Sequence, residues 1–207
     1  MANNDAPFGF KPWGEVLRAR LYGVITAPTI NVMVQDMVHG GLDSVAATQG
    51  HGQMMAIEDA NIIPATPGDA AQIIGSVLAC FDENMVPVKY IAAGEVGDGT
   101  VAGYVLVADH PMQQFVAQED GDTAAIEAAD IGLNFDIYST ALSAGNLNTG
   151  LSYQEIDSNS HNVTVTIALR LFGMAYPNQD TIGSAGCRWI VQVNPAAHIW
   201  GTSQAAL

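Results

Sequence analysis

Five apolar residues at every second position, Val163, Val165, Ile167, Leu169 and Leu171, alternate with Thr164, Thr166, Ala168 and Arg170. An α-helix repeats every 3.6 residues and would scatter such a set around its surface, whereas a strand puts it all on one face. Shorter runs of the same kind recur along the chain. Ile30, Val32, Val34 and Val38 keep one parity with Asp36 interrupting, and Leu133, Phe135 and Ile137 alternate with Asn134, Asp136 and Tyr138. Val16–Ile25, Ile73–Cys80, Val86–Ile91, Val101–Val107, Phe115–Gln118 and the segment holding Trp189, Val191 and Val193 add further candidate strands. Glycine- and asparagine-rich connectors separate them at 40–52, 97–99, 144–150 and 183–186. Repeated short strands with such turns predict an all-β chain, an antiparallel β-sandwich or β-barrel. One short helix is expected over Thr123–Asp130, where alanine and glutamate gather behind Asp122 as N-cap. No sequence repeat and no second domain boundary stand out, so the reading is an arm over residues 1–20 and one β domain over 21–207.

The chain's 207 residues carry six Lys and Arg against 21 Asp and Glu, a net charge of −15. Nucleic-acid binding displaces counterions with a basic surface, which this chain lacks, and anionic membranes are disfavoured by the same sign. Only 13% of the residues are charged, about half the usual share. A surface depleted in Lys and Glu resembles one that will be covered by another protein. No apolar run approaches the ~20 residues of a membrane helix, and Met1–Phe10 has no apolar stretch of a secretory leader. Cys80 and Cys187 each sit in an apolar run and read as buried free thiols, although the sequence leaves a bridge between them open.

The positive charge is uneven. Lys11, Arg18 and Arg20 against Asp5 and Glu15 leave the first 20 residues at +1 and the other 187 at −16. The same segment holds Pro7, Phe8, Phe10, Pro12 and Trp13. Proline and glycine among aromatics exclude a helix and predict an extended arm whose rings must be buried. The sequence leaves two seats open: the arm's own domain, or another chain.

Enzyme signatures are missing. His39, His51, His110, His161 and His198 are scattered as loop or surface histidines, without a metal-ligand spacing. No nucleophile elbow, phosphate loop or dinucleotide fingerprint occurs, and no cofactor is expected. Glu119-Asp120-Gly121-Asp122 is the one dense acidic patch. It could offer oxygen ligands to Ca²⁺, but without the calcium-loop pattern it reads as a solvated turn.

Asn4-Asp5-Ala6-Pro7-Phe8-Gly9-Phe10-Lys11-Pro12 resembles the N-terminus of small head proteins of tailed phages, in which a Pro-Phe-Gly-Phe-Arg/Lys-Pro segment begins the chain. Val105–Pro111 followed by Phe115-Val116-Ala117-Gln118-Glu119-Asp120-Gly121 is similar to a later stretch of that family, as are Gly132-Leu133-Asn134, Gly150-Leu151-Ser152 and Leu169–Gly173. Trp13 departs from it, where an aliphatic residue is common. The resemblance implies a capsid decoration, or cement, protein: a non-enzymatic β module on the outer surface of the virion, made in the host cytoplasm and commonly trimeric. Its partners would be the phage major capsid protein and its own copies. Pro7, Phe8, Phe10, Lys11, Pro12, Trp13, Arg18 and Arg20 would then form an arm touching shell or neighbour. A second reading is a head-fibre or tail-accessory module that binds host-surface carbohydrate through its loops.

Overall fold

The structure, a computed structural model, describes residues 3, 6–40, 62–65, 73–99, 101–121, 124–138, 145–163 and 167–199. Fourteen strands are described and the fold is all-β: β1 (Lys11–Pro12), β2 (Ala19–Ile25), β3 (Val32–Met33), β4 (Met37–Gly40), β5 (Ile62–Pro64), β6 (Ile73–Phe81), β7 (Pro87–Val88), β8 (Tyr90–Ile91), β9 (Val101–Ala108), β10 (Gln114–Gln118), β11 (Asn134–Tyr138), β12 (Glu155–Asn162), β13 (Leu169–Met174) and β14 (Arg188–Val193). Twelve of them form two six-stranded sheets, β3 and β8 pair in a two-stranded one, and each six-stranded sheet contains a closed ring of five strands.

In the first ring β2 pairs with β9, β9 with β6, β6 with β4, and β4 with β5. The ring closes through a parallel contact of β5 with β2 at Ile62 and Val24. In the second, β10 pairs with β14, β14 with β13, β13 with β11, and β11 with β12. It closes through a parallel bridge from Glu119 to Ile156. Five antiparallel strands cannot alternate consistently around a ring, so one pair must be parallel, and in both rings it is the closing pair. Numbered within its own ring, each follows one path: first to fifth, fifth to fourth, fourth to second, second to third, third back to first. The architecture is thus repeated although no repeat is evident in the sequence.

Closure on so few strands forces sharp bends. Gly75 in β6 lies where β4 and β9 both approach, and a Cβ there would fall inside contact distance of the Ala108 carbonyl oxygen. Gly75→Ala should therefore cost about 1–3 kcal/mol through overpacking against backbone, read as a lower denaturant midpoint with an unchanged slope.

The rings lock together by exchanging ends. β1 leaves the first ring and pairs with β10 of the second, Lys11 opposite Val116 and Pro12 opposite Phe115. The C-terminal segment returns to the first ring: the Ile73 N–H donates to the Ala197 carbonyl and the Ile199 N–H to that of Ile73, both at 2.9 Å. Between them, Val34 pairs with Leu151. Gln154 reaches across with its amide nitrogen donating to the carbonyls of Met37 (3.2 Å) and Ala65 (3.0 Å). One apolar cluster, with Tyr22, Val24, Val77, Val105 and Val107, fills the first ring. The other fills the second with Phe115, Phe135, Ile156, Leu171, Trp189 and Val191, and extends over the seam to Phe10, Met37, Ile73 and Ala108. Cys80 and Cys187 are buried free thiols, one in each cluster.

Several sequence expectations need correction. The expected helix over Thr123–Asp130 is a single 3-10 turn at Ala128–Asp130 behind Glu127, while Asp122 and Thr123 lie outside the described residues. The Ile126 N–H donates to the Glu119 carboxylate at 2.7 Å, which diverts a backbone donor that a helix would use. Of the alternating run Val163–Leu171, Leu169–Leu171 belong to β13, while Val163, Ile167 and Ala168 lie outside any strand and Val163 is 78% exposed; positions 164–166 lie outside the described residues. The glycine-rich connector after Gly40 also lies outside them up to position 61. His39 and His198 are buried rather than superficial.

Candidate functional site: the arm and its seat

Residues 3 and 6–13 lie along the second ring and the seam. The Asn3 side chain donates to the carbonyls of Thr181 (3.1 Å) and Ser184 (2.8 Å) and accepts the Thr181 N–H (2.8 Å). The Ala6 N–H donates to Gln118 Oε1 at 3.2 Å. Phe10 is 0% exposed; its N–H donates to the Gln35 carbonyl at 2.8 Å and its carbonyl accepts from Ser76 Oγ. The Trp13 N–H donates to the Gln114 carbonyl at 2.8 Å. In an antiparallel ladder the intervening pair makes no such bonds, so Pro12, which has no N–H, sits where none is needed.

The eight residues singled out in the sequence divide by role. Phe10 is a core residue at the seam. Pro7, Phe8 and Pro12 are half-buried along the groove, and Lys11 is exposed. Trp13 meets Tyr176 edge-on at 5.5 Å between ring centroids, and Arg188 stacks on the other ring at 4.2 Å. Arg188 is itself paired with Asp180 at 2.7 Å. Arg18 and Arg20 both turn to Asp109, at 2.7 and 3.1 Å, and the Tyr22 hydroxyl donates to the same carboxylate at 2.6 Å. Asp109 is fully buried, so these two cations root the arm in the first ring.

Sequence reasoning missed the buried acids. Glu119 and Asp120 are 0% and 2% exposed, which overturns the solvated-turn expectation for both. Glu119 accepts the N–H groups of Ile126 (2.7 Å) and Cys187 (3.2 Å), and Asp120 accepts that of Ser158 (3.0 Å). Together they latch β10 to β12 where the second ring closes. Burial raises the Glu119 carboxyl to about 7, its two N–H bonds pull it down, and Asp120 adds to the rise. Asp36, the interruption visible in the apolar run, lies at the seam. Burial raises its carboxyl to about 7 as well, against the lowering effect of Ser152 and the Met33 N–H. Burial pushes His198 down to about 4.

Each raised carboxyl keeps in the fold a proton that the unfolded chain gives up, so its contribution to stability falls as pH rises from about 4 to about 7. His198 contributes in the opposite sense between about 4 and 6.5. Asp36→Asn should therefore stabilise the protein at pH 8 by about 1–3 kcal/mol and leave it unchanged at pH 4. The Asn carbonyl can still accept the Met33 N–H, which Asp36 holds at 2.6 Å. Urea titrations at the two pH values check this; an equal effect at both would contradict a protonated Asp36.

Among the described residues no group of three or more His, Cys, Asp or Glu could hold a metal ion, and no helix is long and apolar enough to cross a membrane. No family model matches the chain, and comparison with curated proteins and with solved structures found no match either.

Proposed function

We propose that this chain is a structural virion protein, a capsid decoration protein that binds the outer surface of a tailed-phage head as a homo-oligomer, a trimer on its likeness to phage head proteins, and ties neighbouring capsomers together. The observation that carries this reading is the surface. Of the six cations, Arg18 and Arg20 face Asp109, Arg188 faces Asp180, and the Lys89 ammonium donates to the Asn148 carbonyl. The other two, Lys11 and Arg170, are exposed, but with 21 Asp and Glu against six Lys and Arg the exterior is acidic on balance, suited to the outside of a shell where it does not compete for DNA. On it Val16, Leu17, Met112, Ile131, Phe172 and Ile182 stand exposed, apolar positions of the kind that assembly covers. The segments carrying the family likeness coincide with structural joints. Pro7–Pro12 is the seated arm, Phe115–Gly121 holds β10 and the Glu119–Asp120 latch, and Gly150–Ser152 meets Val34 at the seam. Repeated weak contacts from one oligomer to neighbouring capsomers would add through effective concentration.

Immunogold labelling of intact particles, with sizing of the purified protein by light scattering, tests the reading. Labelled shells and a stable oligomer are expected; an unlabelled shell and a monomer at every concentration would remove it. The glycan-binding alternative draws on the half-buried Trp13–Tyr176 pair. Binding to an array of bacterial surface glycans that is lost in Tyr176→Ala would favour it.

A further inference from the structure

We propose that the N-terminal arm up to Trp13, with its strand β1, is an exchangeable element, which in the assembly seats on the second ring and seam of a second copy of this chain. The inference rests on the self-association in the reading above, and it names the partner of the arm.

Three observations carry it. First, the described hydrogen bonds of the arm reach far along the chain, to Gln35, Ser76, Gln113, Gln114, Gln118, Thr181 and Ser184. A second copy offers the same groove, so exchange would preserve each of these bonds, which is why swapping an identical element is a low-cost route to association. An extended segment added to a strand edge is also a recurring mode of recognition between chains. Second, the connector from Trp13 to the Arg18 anchor is exposed at Gly14, Glu15, Val16 and Leu17. Gly14 has a φ of +75° with nothing near its Cβ position, a hinge that glycine adopts without strain. Within the connector itself, the Leu17 N–H donates to Gln113 Oε1 at 2.9 Å. Third, the hinge carries apolar surface. Leu17 is 54% exposed, Val16 is exposed beside it, and Met112 is exposed next to the Gln113 that holds the connector. A second copy lying along the exchanged connector would cover all three, a contact that only the exchanged form creates.

Lys11 and Val116 face each other across the β1–β10 pair, at a Cα separation of about 5.5 Å for a hydrogen-bonded pair, within the range a disulfide spans. Full-length Lys11→Cys and Val116→Cys chains would be mixed, unfolded, refolded together and oxidised. Exchange predicts a covalent heterodimer as the major reducible product, absent when either variant is treated alone. The double variant Lys11→Cys/Val116→Cys reports the competing arrangement. If it closes wholly within one chain at every concentration, and the mixture yields no heterodimer, the inference fails. A second measurement covers poor folding of a cysteine variant: the unmodified full-length chain should form an oligomer by light scattering with a melting temperature that rises with protein concentration, and a monomer with a concentration-independent melting temperature would overturn the proposal. Chains that exchange arms but never label a shell would leave this inference standing and remove the decoration reading; shell binding without heterodimer would do the reverse.

Discussion

Phe10→Ala should destabilise the protein by about 3–5 kcal/mol, the usual cost of truncating a fully buried phenylalanine. For a chain of this size that corresponds to a loss of roughly 6–20 °C in melting temperature. Phe10 has no exposed surface and belongs to the cluster that joins Met37, Ile73 and Ala108 of the first ring to Phe115 and Phe135 of the second. Its backbone is fixed as well, through Gln35 and Ser76, so the groove cannot collapse easily around the cavity. The same substitution at Phe8, which is half-buried, should cost about 1 kcal/mol, in proportion to the smaller area removed from water. Lys11→Ala should be nearly silent. Calorimetry on the three variants checks the order. If Phe10 and Phe8 proved equal, the arm would not be the keystone of the seam. This bears on truncation experiments: removing residues 1–13 removes a core side chain, so loss of shell occupancy in a truncated chain would report folding as much as docking. Substitutions at Lys11 separate the two.

The legible part of the fold was the part whose strands carry their own apolar face. β6, β9, β10, β11 and β14 follow from runs such as Ile73–Cys80 and from the alternation of Leu133, Phe135 and Ile137. β12 was not legible. Its sequence, Glu155 to Asn162, is polar apart from Ile156, and Ser158 takes a buried position beside the Asp120 carboxylate. Backbone pairing with β11 and the Asp120 carboxylate just after β10 hold it, and neither leaves a hydrophobic period. The latch was hidden for a related reason. An acidic pair before a glycine looks like a turn, and its burial depends on donors at Ile126 and Cys187, the second 68 residues away. The arm was half legible: three rings among prolines demand burial, but local sequence does not say which surface supplies it. The repeated ring order left no trace because strand order constrains where apolar residues and turns fall, and many unrelated sequences satisfy that.

Asp109→Ala should be among the most damaging single substitutions, about 3–5 kcal/mol, because it leaves two guanidiniums and a buried hydroxyl facing a site built for a carboxylate. Asp109 is fully buried, and Arg18, Arg20 and Tyr22 converge on its two oxygens. Arg18 also donates to the Asp109 carbonyl at 2.8 Å, so the pair positions backbone as well as charge. The arginines are about a third exposed, at 33% and 34%, and water can take over part of their solvation. Arg18→Met should accordingly cost less than Asp109→Ala, about 1–2 kcal/mol, since Arg20 and Tyr22 still serve the carboxylate. The double variant should fall short of the sum of the two, with a coupling of about 1–2 kcal/mol typical of groups in one network. This cycle decides what the basic residues near the N-terminus are for. If Arg18 existed to meet a partner's surface, Arg18→Met would leave stability intact and the cycle would show no coupling. With both cations held by one buried acid, the expected result is the opposite: strong coupling in the isolated chain, and an arm root fixed in the first ring while the strand beyond Gly14 remains the part able to change partners.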